Sequence, residues 1–217
     1  MGKKIMLTGA TGYVGEGVLL ECMADPAVDE VLVVGRKSCG VRHAKVNELL
    51  VPDFFSLASF ADQLRGYDAC FFCAGISSVG MNETDYTRFT HDATLAFAKA
   101  VHAVSPGAVF TYVSGAGTDS SEKGRSMWAR VKGRTENDLG RIGFKAHYNF
   151  RPGIMRISPG QRNPKWWMRS LVPVFALFMP GYTCTMKEVG LAMINCVMKG
   201  YPKPILEVKD IKVLAGG

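Results

Sequence analysis

The first two dozen residues leave little freedom of fold. Lys4-Ile5-Met6-Leu7-Thr8 reads as a short buried strand, and a helical pattern through Val18, Leu19, Leu20 and Cys22 runs on to Asp25-Pro26. Between them lies Thr8-Gly9-Ala10-Thr11-Gly12-Tyr13-Val14-Gly15. Three glycines so spaced, between a strand and a helix start, suit a bend where backbone N–H groups closely approach a diphosphate. Gly9 would permit the tight turn, Gly12 the approach to phosphate, and Gly15 close packing of helix on sheet. Glycine spacing alone is a weak signal, and here the strand-turn-helix context strengthens it.

The alternation continues. Glu30 to Gly35 predicts a second strand, Lys45 to Val51 a weaker third, and Asp53 to Leu64 a helix. Ala69 to Ala74 is a continuous apolar run, as expected of a central parallel strand covered on both faces. A long helix should start near Thr84 and end before Ser105-Pro106-Gly107, with Phe89, Ala93, Ala96, Phe97, Ala100 and Val104 on one stripe. Ala108 to Ser114 is a strand, Ser126 to Ile142 a helix and Ala146 to Arg151 a strand. Thr185-Met186-Lys187-Glu188 has capping-box spacing for a final helix, and Ile205 to Val208 could close a sheet edge. The expectation is an α/β fold, a doubly wound parallel sheet with a small C-terminal helical extension. Residues 1–217 read as one domain, in which about 154–204 form a lid or substrate-side segment.

Composition bounds the chemistry. Hydrophobic residues make up 47% and charged residues 21% of the 217, as in ordinary globular chains. Only three apolar residues, Ile5 to Leu7, follow Met1-Gly2-Lys3-Lys4, too few for the core of a secretion signal, so the expected location is cytoplasmic. The six cysteines are too dispersed for a disulfide scaffold, and Cys70-Phe71-Phe72-Cys73 lies on a strand, where the two thiols face opposite sides. His43, His91, His102 and His147 lack partners at metal-site spacing, and no metal is expected. Residues 121–170 hold twelve Lys and Arg against Glu122, Glu136 and Asp138, more than the whole net charge of +7. Such a field can attract a phosphorylated ligand, a nucleic acid or an anionic membrane, and no recognised motif supports the nucleic acid. The apolar run Leu171 to Pro180 is too short to cross a bilayer. With Trp166, Trp167 and Arg169 beside it, it would lid a pocket or contact a subunit or protein partner, with membrane-surface contact the less favoured option.

TGATGYVG resembles the fingerprint of the extended and atypical short-chain dehydrogenases, which have a Rossmann-type fold and include sugar-nucleotide epimerases, flavin reductases and non-enzymatic nucleotide sensors. Further landmarks fall in family order: Cys73-Ala74-Gly75 after the fourth strand, Val113-Ser114 after the fifth, Lys132 in the next helix, and Phe150-Arg151-Pro152-Gly153 after the sixth. The resemblance covers Lys4 to about Gly153 and implies a nicotinamide dinucleotide held by Thr8, Gly9, Thr11, Gly12, Tyr13, Val14 and Gly15. By family position, Asp53 and Phe54 would lie near adenine, and Cys73, Ala74, Gly75, Lys132, Arg151 and Pro152 would complete the site. Where an NAD-preferring chain usually carries an acidic residue, this one has Gly35-Arg36-Lys37. Arg36 could grip a 2′-phosphate in two-pronged fashion and Lys37 could add charge, which favours NADP(H).

Family enzymes carry Tyr-x-x-x-Lys, and the corresponding stretch is Trp128-Ala129-Arg130-Val131-Lys132. An indole N–H does not ionise usefully, so Trp128 cannot be the general acid or base. Lys132 keeps its implied ribose contact, and Ser114 matches the serine that bonds substrate. Whether Tyr86, Thr90 and His91 face the cleft depends on helix rotation, which the sequence leaves open. The expected function is hydride transfer between NADP(H) and a small molecule. The alternative is an inactive NADP(H)-sensing or protein-interaction module.

Overall fold

The computed structural model describes residues 2–164, 172–173 and 176–216. In chain order the elements are β1 (Lys3–Thr8), α1 (Tyr13–Ala24), β2 (Val28–Gly35), β3 (Val46–Leu50), β4 (Ala69–Phe72), α2 (Glu83–Thr87), α3 (Ala93–Val104), β5 (Val109–Val113) and α4 (Met127–Leu139). There follow β6 (Ala146–Arg151), β7 (Ile154–Arg156), β8 (Thr183–Thr185), α5 (Met186–Lys199), β9 (Ile205–Glu207) and α6 (Val208–Gly216). A π-helical turn, Arg88–Asp92, joins α2 to α3.

Seven strands form one sheet in the order β3-β2-β1-β4-β5-β6-β9, and every pairing is parallel. The fold is thus the doubly wound Rossmann-type α/β sheet, with the order reversing between β1 and β4. Successive side chains of a strand face opposite sides, and the core divides accordingly. Ile5, Leu7, Val31, Val33, Phe71 and Phe150 pack on one face with residues of α1, α5 and α6. Met6, Leu32, Val34, Cys70, Phe72, Phe110 and Tyr112 pack on the other, mainly against α3. Cys70 and Cys73 join different clusters, and all six cysteines are free thiols.

Three expectations need revision. Residues 53–64 are not a helix. The Asp53 carboxylate accepts the N–H groups of Phe55 and Ser56 at 2.8 and 2.9 Å, which turns the chain, and only Ala58–Phe60 form a single 3-10 turn. Leu57 and Leu64 are nevertheless buried, so the apolar positions were legible and their path was not. Phe89, expected on the buried stripe, is 48% exposed, because the π turn breaks the helical period there. Within the 154–204 stretch, α5 is core rather than lid. It buries Val189, Ala192, Met193 and Cys196, and its Gly190 crosses α1 so closely that a Cβ there would stand 2.7 Å from Glu21 Cβ. Trp166, Trp167 and Arg169, expected in a lid or contact surface, lie outside the described residues.

Short β7 and β8 pair in parallel apart from the main sheet. The polypeptide after β7 is tied to the start of α1. Tyr13 Oη donates to the Met155 carbonyl, Gln161 Nε2 donates to the Tyr13 carbonyl at 2.8 Å, and the buried Glu16 carboxylate accepts the N–H groups of Arg162 and Asn163 at 2.7 and 2.9 Å. Among the described residues, no helix is long and apolar enough to cross a membrane.

Candidate dinucleotide site

The glycine bend is built by close contact of backbones. Gly9 has φ +75°, and a Cβ on it would stand 2.6 Å from the Ala74 nitrogen, so only glycine lets the ends of β1 and β4 meet here. Thr8 Oγ1 accepts the Ala74 N–H at 3.1 Å and fixes that junction. A Cβ on Gly15 would lie 2.2 Å from the Gly9 carbonyl oxygen, which seats α1 directly on the bend. Gly12 N–H donates to the Gly9 carbonyl at 2.8 Å, and no side chain caps α1 at Gly12. The first-turn N–H groups, which have no intrahelical acceptor, therefore suit an anion.

A cavity of about 230 Å³ opens over this bend. Gly9, Thr11, Gly12, Arg36, Lys37, Asp53, Phe54, Cys73, Ala74 and Gly75 all line it, so ten of the sequence-derived positions converge on one cleft. Thr8, Tyr13, Val14 and Gly15 are not part of its lining. Phe54 is held edge-on to Phe97 and Phe72, with ring centres 4.9 and 5.8 Å away. Arg36 and Lys37 are exposed at the end of β2, and neither forms an ion pair among the described residues. Sequence reasoning missed Phe55, Ile76 and Phe89 in the lining. For Phe89 no periodic signal could have served, since a π turn leaves none.

These residues fit a nicotinamide dinucleotide. Glycines clear room for the diphosphate, a helix start faces it, and a flat apolar wall with two cations offers a place for the adenosine end.

The remaining positions do not line this cavity. Lys132 is half-buried, and its ammonium donates to the carbonyls of Ser114 and Val113 at 2.5 and 3.4 Å, at the C-terminal end of β5. Burial outweighs the nearby Glu136 carboxylate and pushes its pKa down to about 8. Trp128, one turn earlier, lies half-buried with its indole edge 3.6 Å from where a Cβ on Gly117 would stand, over the loop after β5. Pro152 sits under the same loop, its carbonyl accepting the Ala116 N–H at 2.9 Å.

Ser114 and Arg151 are placed differently from expectation. The Ser114 hydroxyl is buried and donates to Glu136 at 2.5 Å, so it faces the interior of the sheet and α4 rather than a substrate. Arg151 clasps the same carboxylate through Nε at 3.0 Å and Nη2 at 2.5 Å, and also reaches Glu207 and Ser120. A buried Glu136 needs these partners, which draws both side chains inward. Glu136 itself went unread in the sequence, although it lies one helical turn beyond Lys132. Tyr86 and Thr90 are buried, and His91 is clamped between Asp92 and Asp138 at 2.7 and 2.8 Å. None of the three lines the cleft.

Comparison with known proteins agrees with this geometry. The chain is 26% identical over 202 residues to Protein HTATIP2 of Rattus norvegicus, covering 89% of this chain and 80% of that one. It is 25% identical over 207 residues to Protein fmp52, mitochondrial, of Emericella nidulans, covering 90% and 87%. Among solved structures, a UDP-N-acetylglucosamine 4-epimerase from Methanobrevibacter ruminantium M1 superposes with TM-score 0.72 at 17% identity, over 95% of this chain and 76% of that one. The Bordetella bronchiseptica enzyme WbmF, solved with NAD+, superposes with TM-score 0.68 at 15% identity, over 99% and 77%. Residues 5–124, from β1 past the glycine bend to the loop beyond β5, match the profile of the NAD dependent epimerase/dehydratase family, and to that family the chain belongs.

Proposed function

We propose that the chain binds NADP(H) in preference to NAD(H) and transfers hydride between it and a small molecule. The observation that carries this reading is the pair Arg36 and Lys37, free of ion-pair partners among the described residues, beside the cavity over the glycine bend. No carboxylate ends β2, where one would accept the adenosine 2′-hydroxyl and repel a 2′-phosphate. The guanidinium of Arg36 can make two parallel bonds to phosphate, and Lys37 contributes charge.

The bound dinucleotide would supply the hydride. The chain's part is to hold and orient. The bend and the α1 start would take the diphosphate, and Phe54 would border the adenine. Lys132 of α4, whose ammonium sits at the end of β5, is suited to the ribose hydroxyls. Trp128 can stack or donate one bond but cannot pass a proton, and Ser114 is engaged with Glu136. The proton would then come from solvent, which suits acceptors that demand little acid assistance, such as flavins or quinones. Loss of a positioned acid typically costs about 10²–10⁴ in rate.

Isothermal titration of NADPH and NADH into wild type and Arg36→Ala tests the binding reading. Charge-assisted hydrogen bonds contribute about 1.5–3 kcal/mol. Wild type should therefore favour NADPH by roughly ten- to a hundredfold, and the variant should lose most of that margin. Equal affinities in wild type, or binding of neither dinucleotide, would remove the proposal. The engaged Ser114 and the substituted tyrosine position favour a second reading, a non-catalytic NADP(H) sensor. Tight NADPH binding without oxidation by any of several flavin and quinone acceptors would select it.

A further inference from the structure

We propose that the exposed apolar segment before β8, helical at 176–178 and a 3-10 turn at Pro180–Tyr182, docks together with the outer face of α6 on an anionic lipid surface. Leu177 and Phe178 are each 77% exposed and Tyr182 is 59% exposed. Lone exposed apolar residues are ordinary, but contiguous ones are not. Lys212 of α6 donates to the Pro180 carbonyl at 3.2 Å, which sets the outer face of α6 against this segment.

The period of α6 decides what that face presents. Val208, Ile211 and Leu214 turn into the core, leaving Lys209, Lys212 and Val213 outward. Arg156 and Lys212 line a groove with Leu177 and Pro180. Of the nearby carboxylates, Glu188 also lines this groove, and each is engaged by a neighbour. Asp210 accepts from Tyr201 and Lys203, Glu188 closes the capping box of α5, and Glu207 takes Arg151. The outward surface is therefore apolar tips bordered by three cations, Arg156, Lys209 and Lys212, against the one capping carboxylate of Glu188.

This combination matches a membrane interface, where apolar side chains enter the acyl boundary and Lys or Arg stay among anionic headgroups. A second copy is a poorer occupant. A two-fold pairing of this face would set Lys209, Lys212 and Arg156 against their own equivalents. The inference concerns a surface separate from the dinucleotide cleft and stands whichever reaction the cleft supports.

The test is flotation of the full chain with vesicles of phosphatidylcholine alone, and of phosphatidylcholine and phosphatidylserine in equal amounts. Wild type should float only with the mixed vesicles, and less at high salt. Phe178→Ser should weaken binding about tenfold, the order expected for withdrawing one large apolar side chain. Lys209→Gln should weaken it about fivefold, as for one cation near an anionic surface. Both positions are exposed, so thermal unfolding and NADPH titration should match wild type and certify the fold. Absence of flotation, flotation indifferent to phosphatidylserine, or flotation unchanged in both variants would overturn the proposal. So would a solution dimer that Phe178→Ser dissociates and that ignores vesicles, since the face would then belong to a second copy.

Discussion

Adding one methyl group at Gly15 would bring it within 2.2 Å of the Gly9 carbonyl oxygen, and both neighbours are backbone that cannot swing aside. Gly15→Ala must therefore lift α1 from the bend. Overpacking of this kind costs about 1–3 kcal/mol, and the start of α1 would move away from a bound diphosphate. Gly75→Ala is the control, because a Cβ there meets nothing within 4 Å. Urea midpoints should fall for the first variant and hold for the second; equal midpoints would contradict the packing described. Lys132 offers a second handle, through pH. Its pKa is pushed down to about 8 by burial, whereas the unfolded chain keeps that proton to about 10.5. Between those values the unfolded state binds the extra proton, so the residue's contribution to stability rises with pH across the window and is lowest and level below it. Lys132→Met removes this dependence. The stability of wild type minus that of Lys132→Met should climb from pH 8 to 10.5, and a level difference would show the amine to be solvated. At this scale the sequence was legible wherever spacing dictates backbone, as at Gly9, Gly12 and Gly15. It was misleading where a buried partner redirects a side chain, as Glu136 does to Ser114 and Arg151.

Helix α5 shows what local chemistry can announce about an element. Thr185 Oγ1 accepts the Glu188 N–H at 3.0 Å while the Glu188 carboxylate accepts the Thr185 N–H at 2.6 Å, the reciprocal box that the four-residue spacing predicted. Thr185→Ala should cost about 1 kcal/mol, read as a shift in denaturant midpoint without a change in its slope. Thr185→Ser should restore most of it, and no loss in the alanine variant would mean that packing alone sets the start of α5. Signals of this kind are short-range, and the elements missed were those set from farther away. The π turn at Arg88–Asp92 has no sequence period to read, and π turns often accompany functional sites. It turns Phe89 out to the cleft, where helical periodicity had buried it. Residues 53–64 carry a helix-like pattern, but the Asp53 turn intervenes. Helix α6 begins directly after β9 without an intervening turn, so the apolar run was read as strand and stopped at Val208.

Across the molecule, four of the twelve cations in residues 121–170 are drawn into ion pairs among the described residues. Arg130 meets Glu83 at 2.7 Å, Arg134 and Arg141 share Asp138, and Arg151 is buried against Glu136. The last of these joins three parts of the fold, since Arg151 ends β6, Glu136 lies on α4, and Glu207 ends β9 at the sheet edge. It holds the last strand and the helix carrying Trp128 and Lys132 in one arrangement. Removing one member of a buried pair strands the other and costs about 3–5 kcal/mol, whereas replacing both by apolar residues of similar volume is often neutral. Arg151→Met should therefore lower global stability by that amount in a single cooperative unfolding transition, with Glu136 left to Ser114 alone. Adding Glu136→Met to the same chain should recover most of the loss. Should the double variant unfold as easily as the single one, the network's value would lie in the individual contacts of Arg151 with Ser120 and Glu207, and the stranded carboxylate would not be the cause.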